Sequence, residues 1–129
     1  MVLASAVFPS VAVMETLNAR QSDRAIHPCV LELREMLQSV LGDDFVRLYH
    51  FGSRVVGAAV SDSDYDVLCV TRRPLSRQEM DEVMDRRIDL QLEYDVFFDL
   101  HFFLDAEVLS PPIECLLFLE HAVGEGVVV

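Results

Sequence analysis

Apolar positions follow two alternating periods along the chain. Val30, Leu33, Leu37, Val40 and Leu41 recur at helical spacing, with Pro28 suited to the first turn and Gly42 to the stop. Phe45–Phe51 is rich in aromatic and β-favouring side chains and predicts a strand. Gly52-Ser53 breaks it, a short helix is expected over 54–60, and Ser61-Asp62-Ser63 is turn chemistry. Asp64–Val70 predicts a second strand. Ser76, with Glu79 three residues on, matches a capping box. After it, Met80, Val83, Met84, Ile88 and Leu92 form an apolar stripe, and Asp81, Glu82, Asp85, Arg86, Arg87 and Asp89 form a solvated face. Val96–Phe103 is apolar on both faces apart from Asp99 and His101, which predicts a central strand covered on both sides. Ile113–Ala122 predicts a last helix, entered near Pro111-Pro112 and ended by Gly124, with Val127–Val129 as a short edge strand. Helices alternating with strands make one α/β domain.

Composition narrows the chemistry. The chain has 129 residues, 52% of them hydrophobic, with 5 Gly and 5 Pro, which excludes a disordered or collagen-like polymer. Its net charge is −12, and all 10 basic residues are Arg. A lysine Schiff base or a phosphate-binding P-loop lysine is therefore excluded. The acidity argues against an extended nucleic-acid footprint, whereas a small anion remains accessible where donors and a cation offset the charge locally. Cys29, Cys69 and Cys115 are odd in number and far apart, which fits reduced, cytoplasmic usage, and Cys69 reads as a core residue. Residues 1–25 read as an N-terminal extension, residues 26–129 as the domain. No apolar run reaches the ~18 residues that a membrane span needs.

The informative segment is His50-Phe51-Gly52-Ser53-Arg54, continuing to Ser63-Asp64-Tyr65-Asp66-Val67-Leu68. A strand that runs into Gly-Ser and then a helix presents backbone N–H groups and a hydroxyl to an anion, and Gly52 allows a sharp turn. Asp64 and Asp66 are two apart in a strand, so their carboxylates project from one face. Paired carboxylates repel unless a proton or cation lies between them, and Mg²⁺ suits such a pair together with phosphate oxygens. An anion cradle beside paired carboxylates is what metal-assisted nucleotidyl transfer requires. An EF-hand reading of Asp62, Asp64 and Asp66 fails, because the sixth-position glycine and twelfth-position glutamate are absent. A serine-hydrolase reading of Ser53 fails because G-x-S-x-G is absent. His50 and His101 read as structural histidines rather than metal ligands.

Gly52-Ser53-Arg54-x-x-Gly57, six residues, then Asp64-Tyr65-Asp66-Val67-Leu68 resembles the signature of minimal nucleotidyltransferases of the DNA polymerase β-like superfamily. The resemblance runs from about residue 25 to the C-terminus. It implies a small mixed β-sheet packed with helices, the polymerase β-like nucleotidyltransferase fold. It implies nucleotide binding by Gly52, Ser53 and Arg54, and Mg²⁺ or Mn²⁺ held by Asp64, Asp66 and a third carboxylate from a later strand. Asp99 is similar to that third position. Asp95 has the same parity, and the Asp105-Ala106-Glu107 stretch also fits; Asp99 is favoured because a carboxylate inside so apolar a run needs a reason to be tolerated. Val56 and Val60 stand where family members often carry basic residues, which makes the phosphate site less basic.

The same resemblance implies AMP transfer from ATP, or transfer from another nucleoside triphosphate, to a hydroxyl of a partner protein. Minimal nucleotidyltransferases commonly serve as antitoxins paired with a HEPN-type toxin. Asp64, Asp66 and Asp99 would be both catalytic and metal-binding. The alternative is a non-catalytic module of the same fold that masks its partner. Neither membrane nor extended nucleic acid is expected as a partner. The eight Phe residues are mostly core, yet their surplus leaves an apolar patch for a partner or for a homo-oligomer.

Overall fold

The computed structural model describes residues 26–52 and 64–129. The extension over 1–25, the helix expected over 54–60 and the turn at Ser61-Asp62-Ser63 lie outside the described residues, as do Ser53 and Arg54. Helix α1 spans Pro28–Leu41. His27 caps it, Nδ1 accepting from the Cys29 N–H at 3.3 Å, and Gly42 ends it at φ 58°. Strand β1, Phe45–Phe51, has the predicted bounds. Strand β2, Tyr65–Thr71, starts and ends one residue later than expected and pairs antiparallel with β1.

Helix α2 spans Arg77–Tyr94 and carries the predicted capping box. Ser76 Oγ accepts from the Glu79 N–H at 3.1 Å, and Glu79 Oε1 accepts from the Ser76 N–H at 2.9 Å. The Arg73 guanidinium forks onto the same carboxylate at 2.8 and 2.9 Å and, with the cap, holds it down to about pKa 2. The helix is rotated from the expected stripe. Val83 is buried and Leu90 and Tyr94 pack beside it, while Ile88 and Leu92 are exposed. Arg87, read as solvated, turns inward instead: its Nη1 donates to the Phe98 carbonyl at 3.4 Å. Its long apolar stem lets a charged residue serve on the packed face.

Strand β3, Phe98–Leu104, runs parallel to β2 in a four-stranded mixed sheet of order β3-β2-β1-β4. The expectation of a central strand is corrected here: among the described residues β3 is an edge. Its apolar run arises because both faces meet packed side chains, not because strands flank it on both sides. The outer edge is capped by side chains, Gln91 Oε1 accepting from the Phe98 N–H at 3.1 Å and Glu107 Oε1 from the Leu104 N–H at 2.9 Å. Such capping blunts an edge against further pairing. Helix α3, Asp105–Leu109, was not foreseen. A 3₁₀ turn, Ile113–Cys115, then leads into helix α4, Leu116–Glu125. That helix passes through Gly124 and stops at Gly126, where a Cβ would collide with the Ala122 carbonyl and press on the His50 backbone. Strand β4, Val127–Val128, pairs with β1 on the far edge.

The sheet separates two apolar layers. Alternate residues Leu48, Val67, Cys69 and Phe98 face α1 and α2, meeting Val30, Leu33, Leu37 and Val83. The other face sends Tyr49, Phe51, Leu68 and Val70 toward Leu119, Ala122 and Val123 of α4. Burial pushes the Cys69 thiol up to about pKa 12, which keeps it protonated and inert. Among the described residues no helix is long and apolar enough to cross a membrane.

Candidate active site

Parallel pairing of β2 and β3 sets Asp66 opposite Asp99, and antiparallel pairing of β1 and β2 sets Phe51 opposite Asp66. The strand starts of β2 and β3 therefore meet the end of β1 at one corner of the sheet. Side-chain alternation puts Asp66 and Asp99 on the α4 side. Gly52 turns off β1 at φ 86°, and a Cβ there would stand on the Asp66 carboxylate. Glycine is needed twice over: for the left-handed backbone and for the space that the carboxylate occupies.

Three negative groups crowd this corner. Partial burial, the neighbouring Asp99 and Asp64, and a hydrogen bond shared with Asp99 raise the pKa of Asp66, while His101 pulls it back down. Asp64 is exposed, immediately ahead of β2. Like-charged carboxylates held this way are poised to share a proton or a cation. The donors are all hard oxygens, and Gly52 lets the Asp66 carboxylate lie directly against the end of β1, so the chemistry fits Mg²⁺ or Mn²⁺. Among the described residues, no three His, Cys, Asp or Glu side chains gather into a preformed cage.

The competing carboxylates lie elsewhere. Asp95 is the C-cap of α2, in the left-handed region at φ 52°, and Asp105 opens α3. Glu107 is engaged by the Leu104 N–H. His50 belongs to the opposite face, its ring 5.4 Å from Tyr65. His101 is the residue that sequence reasoning undervalued. Its Nε2 is 3.3 Å from Asp99 Oδ2, and its ring lies 4.8 Å from Phe118 of α4. The signal was available in the sequence: Asp99 and His101 are two apart in a strand, the same parity that joined Asp64 to Asp66. Phe97, expected in the core, is half exposed beneath the Arg87 guanidinium.

Solved structures share this fold, two of them as follows. One is a toxin–antitoxin complex with AMP-PNP, 18% identical, covering 75% of this chain and 69% of its own, with a TM-score of 0.52. The other is a double Asp-to-Glu mutant of the toxin–antitoxin pair MntA–HpeT, 15% identical, covering 79% and 71%, with a TM-score of 0.52. No curated protein matches the sequence. The family model of the nucleotidyltransferase domain matches residues 31–116, from α1 through the carboxylate corner to the start of α4. On that match, with the mixed sheet and the Asp66–Asp99 pair in place, the chain belongs to the nucleotidyltransferase domain family.

Proposed function

We propose that this chain transfers AMP from ATP to a hydroxyl of a partner protein, as the antitoxin of a pair with a HEPN-type toxin, and that residues 26–129 form its catalytic unit. The observation that carries this reading is the in-register facing of Asp66 and Asp99 beside the Gly52 turn. Asp64, Asp66 and Asp99 would hold Mg²⁺ or Mn²⁺. The cation, when bound, supplies charge neutralisation for the triphosphate and for the departing pyrophosphate. Gly52, Ser53 and Arg54 bind and orient the phosphates, through backbone N–H groups, a hydroxyl and a guanidinium. Asp99 accepts the proton of the acceptor hydroxyl as its oxygen bonds to the α-phosphorus and the bond to pyrophosphate breaks. His101, 3.3 Å away, orients that carboxylate. The likeness to a toxin–antitoxin complex solved with AMP-PNP supports the pairing of nucleotide and partner.

The test is intact-mass spectrometry of the toxin-class partner after incubation with this chain and MgATP. A gain of one adenylyl group, abolished by Asp64→Asn with Asp66→Asn, is expected. One observation favours a second reading, a masking module: Val56 and Val60 replace basic residues, and the chain has no Lys to compensate. A partner neutralised equally by the double variant, with no mass gain from either protein, would select it.

A further inference from the structure

Helix α4 has an inner side that builds the site and an outer side against whose apolar row no described residue packs. Inside, Phe118 lies on the His101 ring and His121 lies 5.9 Å from Phe51, so α4 walls the carboxylate corner. Outside, Leu117 is 78% exposed, Ile113 one turn before it 87%, and Leu109 at the end of α3 65%. Single exposed leucines are ordinary, but three within nine residues, on short consecutive elements, form an apolar row.

The row's own elements carry acidic charge: Asp105 and Glu107 on α3, Glu114 in the 3₁₀ turn, and Glu120 and Glu125 on α4, with no Lys or Arg among them. Glu114, between Ile113 and Leu117, is exposed, and Glu125 on α4 lies 2.8 Å from His121 Nδ1. A second copy of this chain would bring like charges together over the row. A basic surface with an apolar ridge is the complement. The exposed pair Ile88 and Leu92 on α2 lies across the sheet, on the face away from Asp66 and Asp99, so a partner held there would not lie against the wall of the site.

We propose that the α3–α4 face, anchored by Leu109, Ile113 and Leu117, is the docking surface for a basic protein partner. Docked there, the partner lies against the helix that walls the site, on the sheet face that carries Asp99. The inference rests on the partner-modifying function proposed above and names the surface that selects the partner.

The experiment measures binding of the purified toxin-class partner to the full chain, by calorimetry, alongside adenylyl transfer by intact mass. Ile113→Asp with Leu117→Asp is expected to weaken binding roughly tenfold or more. Glu114→Arg should weaken it as well, and rising salt should weaken the wild-type complex. Both variants should keep wild-type affinity for MgATP, which reports an intact fold and site. Ile88→Asp with Leu92→Asp should leave partner binding unchanged. Equal partner binding by the Ile113→Asp, Leu117→Asp variant would overturn the surface, even with transfer intact. Binding lost in that variant, with no transfer by the wild type, would uphold the surface and defeat the transfer reading. A dimer of the free chain that the same variant dissolves would show that a second copy covers the face, and would overturn the proposal.

Discussion

Gly52 and Asp66 claim the same space: the carboxylate of one sits where the other's Cβ would be. The end of β1 and the start of β2 are thereby pressed together, at a residue whose backbone is left-handed, φ 86°. Gly52→Ala must shift Asp66 and strain the turn together. The expected cost is about 1–3 kcal/mol of stability, the range for a residue held in a disfavoured backbone region. Urea denaturation measures it, and nucleotide affinity should fall in the same variant. Unchanged stability would mean that Asp66 can move without consequence.

Ser76→Ala tests the best-defined local signal in the chain. The hydroxyl satisfies the Glu79 N–H at the start of α2, and the same glutamate is clamped by Arg73. Loss of the cap should cost about 1 kcal/mol, typical of a Ser N-cap. Nucleotide binding should be unaffected, because α2 packs on the sheet face away from Asp66 and Asp99. A change in affinity without a change in stability would contradict that separation.

Legibility followed the range of the interactions. The Ser76–Glu79 box, the Gly42 stop and the bounds of β1 are set by neighbours in sequence, and they were readable there. The reading of Asp64 and Asp66 rested on strand parity and that of Asp99 on its apolar run, but Asp64 lies ahead of β2 and Asp99 is exposed. What brings Asp66 and Asp99 together is the pairing register, which parity alone does not contain. Sheet position was not readable. Apolar residues on both faces of β3 report covering layers, while the edge is a matter of hydrogen-bond partners, here Gln91 and Glu107. The stripe on α2 was misread because Arg87 packs by its stem and Leu92 does not pack, exceptions that no periodicity count contains. Gly124 looked like a helix stop, but the collision that forbids a side chain occurs at Gly126, through contacts with β1.

Ser53→Ala bears on the proposed phosphate site. A hydroxyl donating to a triphosphate oxygen is a charge-assisted hydrogen bond, so its loss should weaken triphosphate binding by about 1.5–3 kcal/mol. Titration with a non-hydrolysable triphosphate and Mg²⁺ reads the change. A trapped covalent adduct on Ser53 would instead make it a nucleophile and overturn the assigned role.

The sharpest prediction sets stability against function at Asp66. Burial and the charges of Asp99 and Asp64 raise its pKa in the folded chain, so ionised Asp66 is destabilising there. The sign follows: the stabilising effect of the bound proton is complete below the ordinary carboxylate pKa and is lost as pH rises through the raised folded value. Glu79 acts oppositely, its contribution complete above about 4.5 and lost as pH falls toward about 2. Metal-free protein should therefore gain stability from Asp66 as neutral solution is acidified, then lose it at lower pH as Glu79 protonates. Asp66→Asn should remove the first limb. At pH 7 in chelator, it should stabilise the chain by up to about 1 kcal/mol, the scale for like charges facing across strands. The same change should abolish stabilisation by Mg²⁺ with triphosphate, which thermal denaturation of both proteins with and without ligand would report. If Asp66→Asn destabilised the metal-free chain and kept its response to ligand, the crowded carboxylates would not be the ion-binding centre.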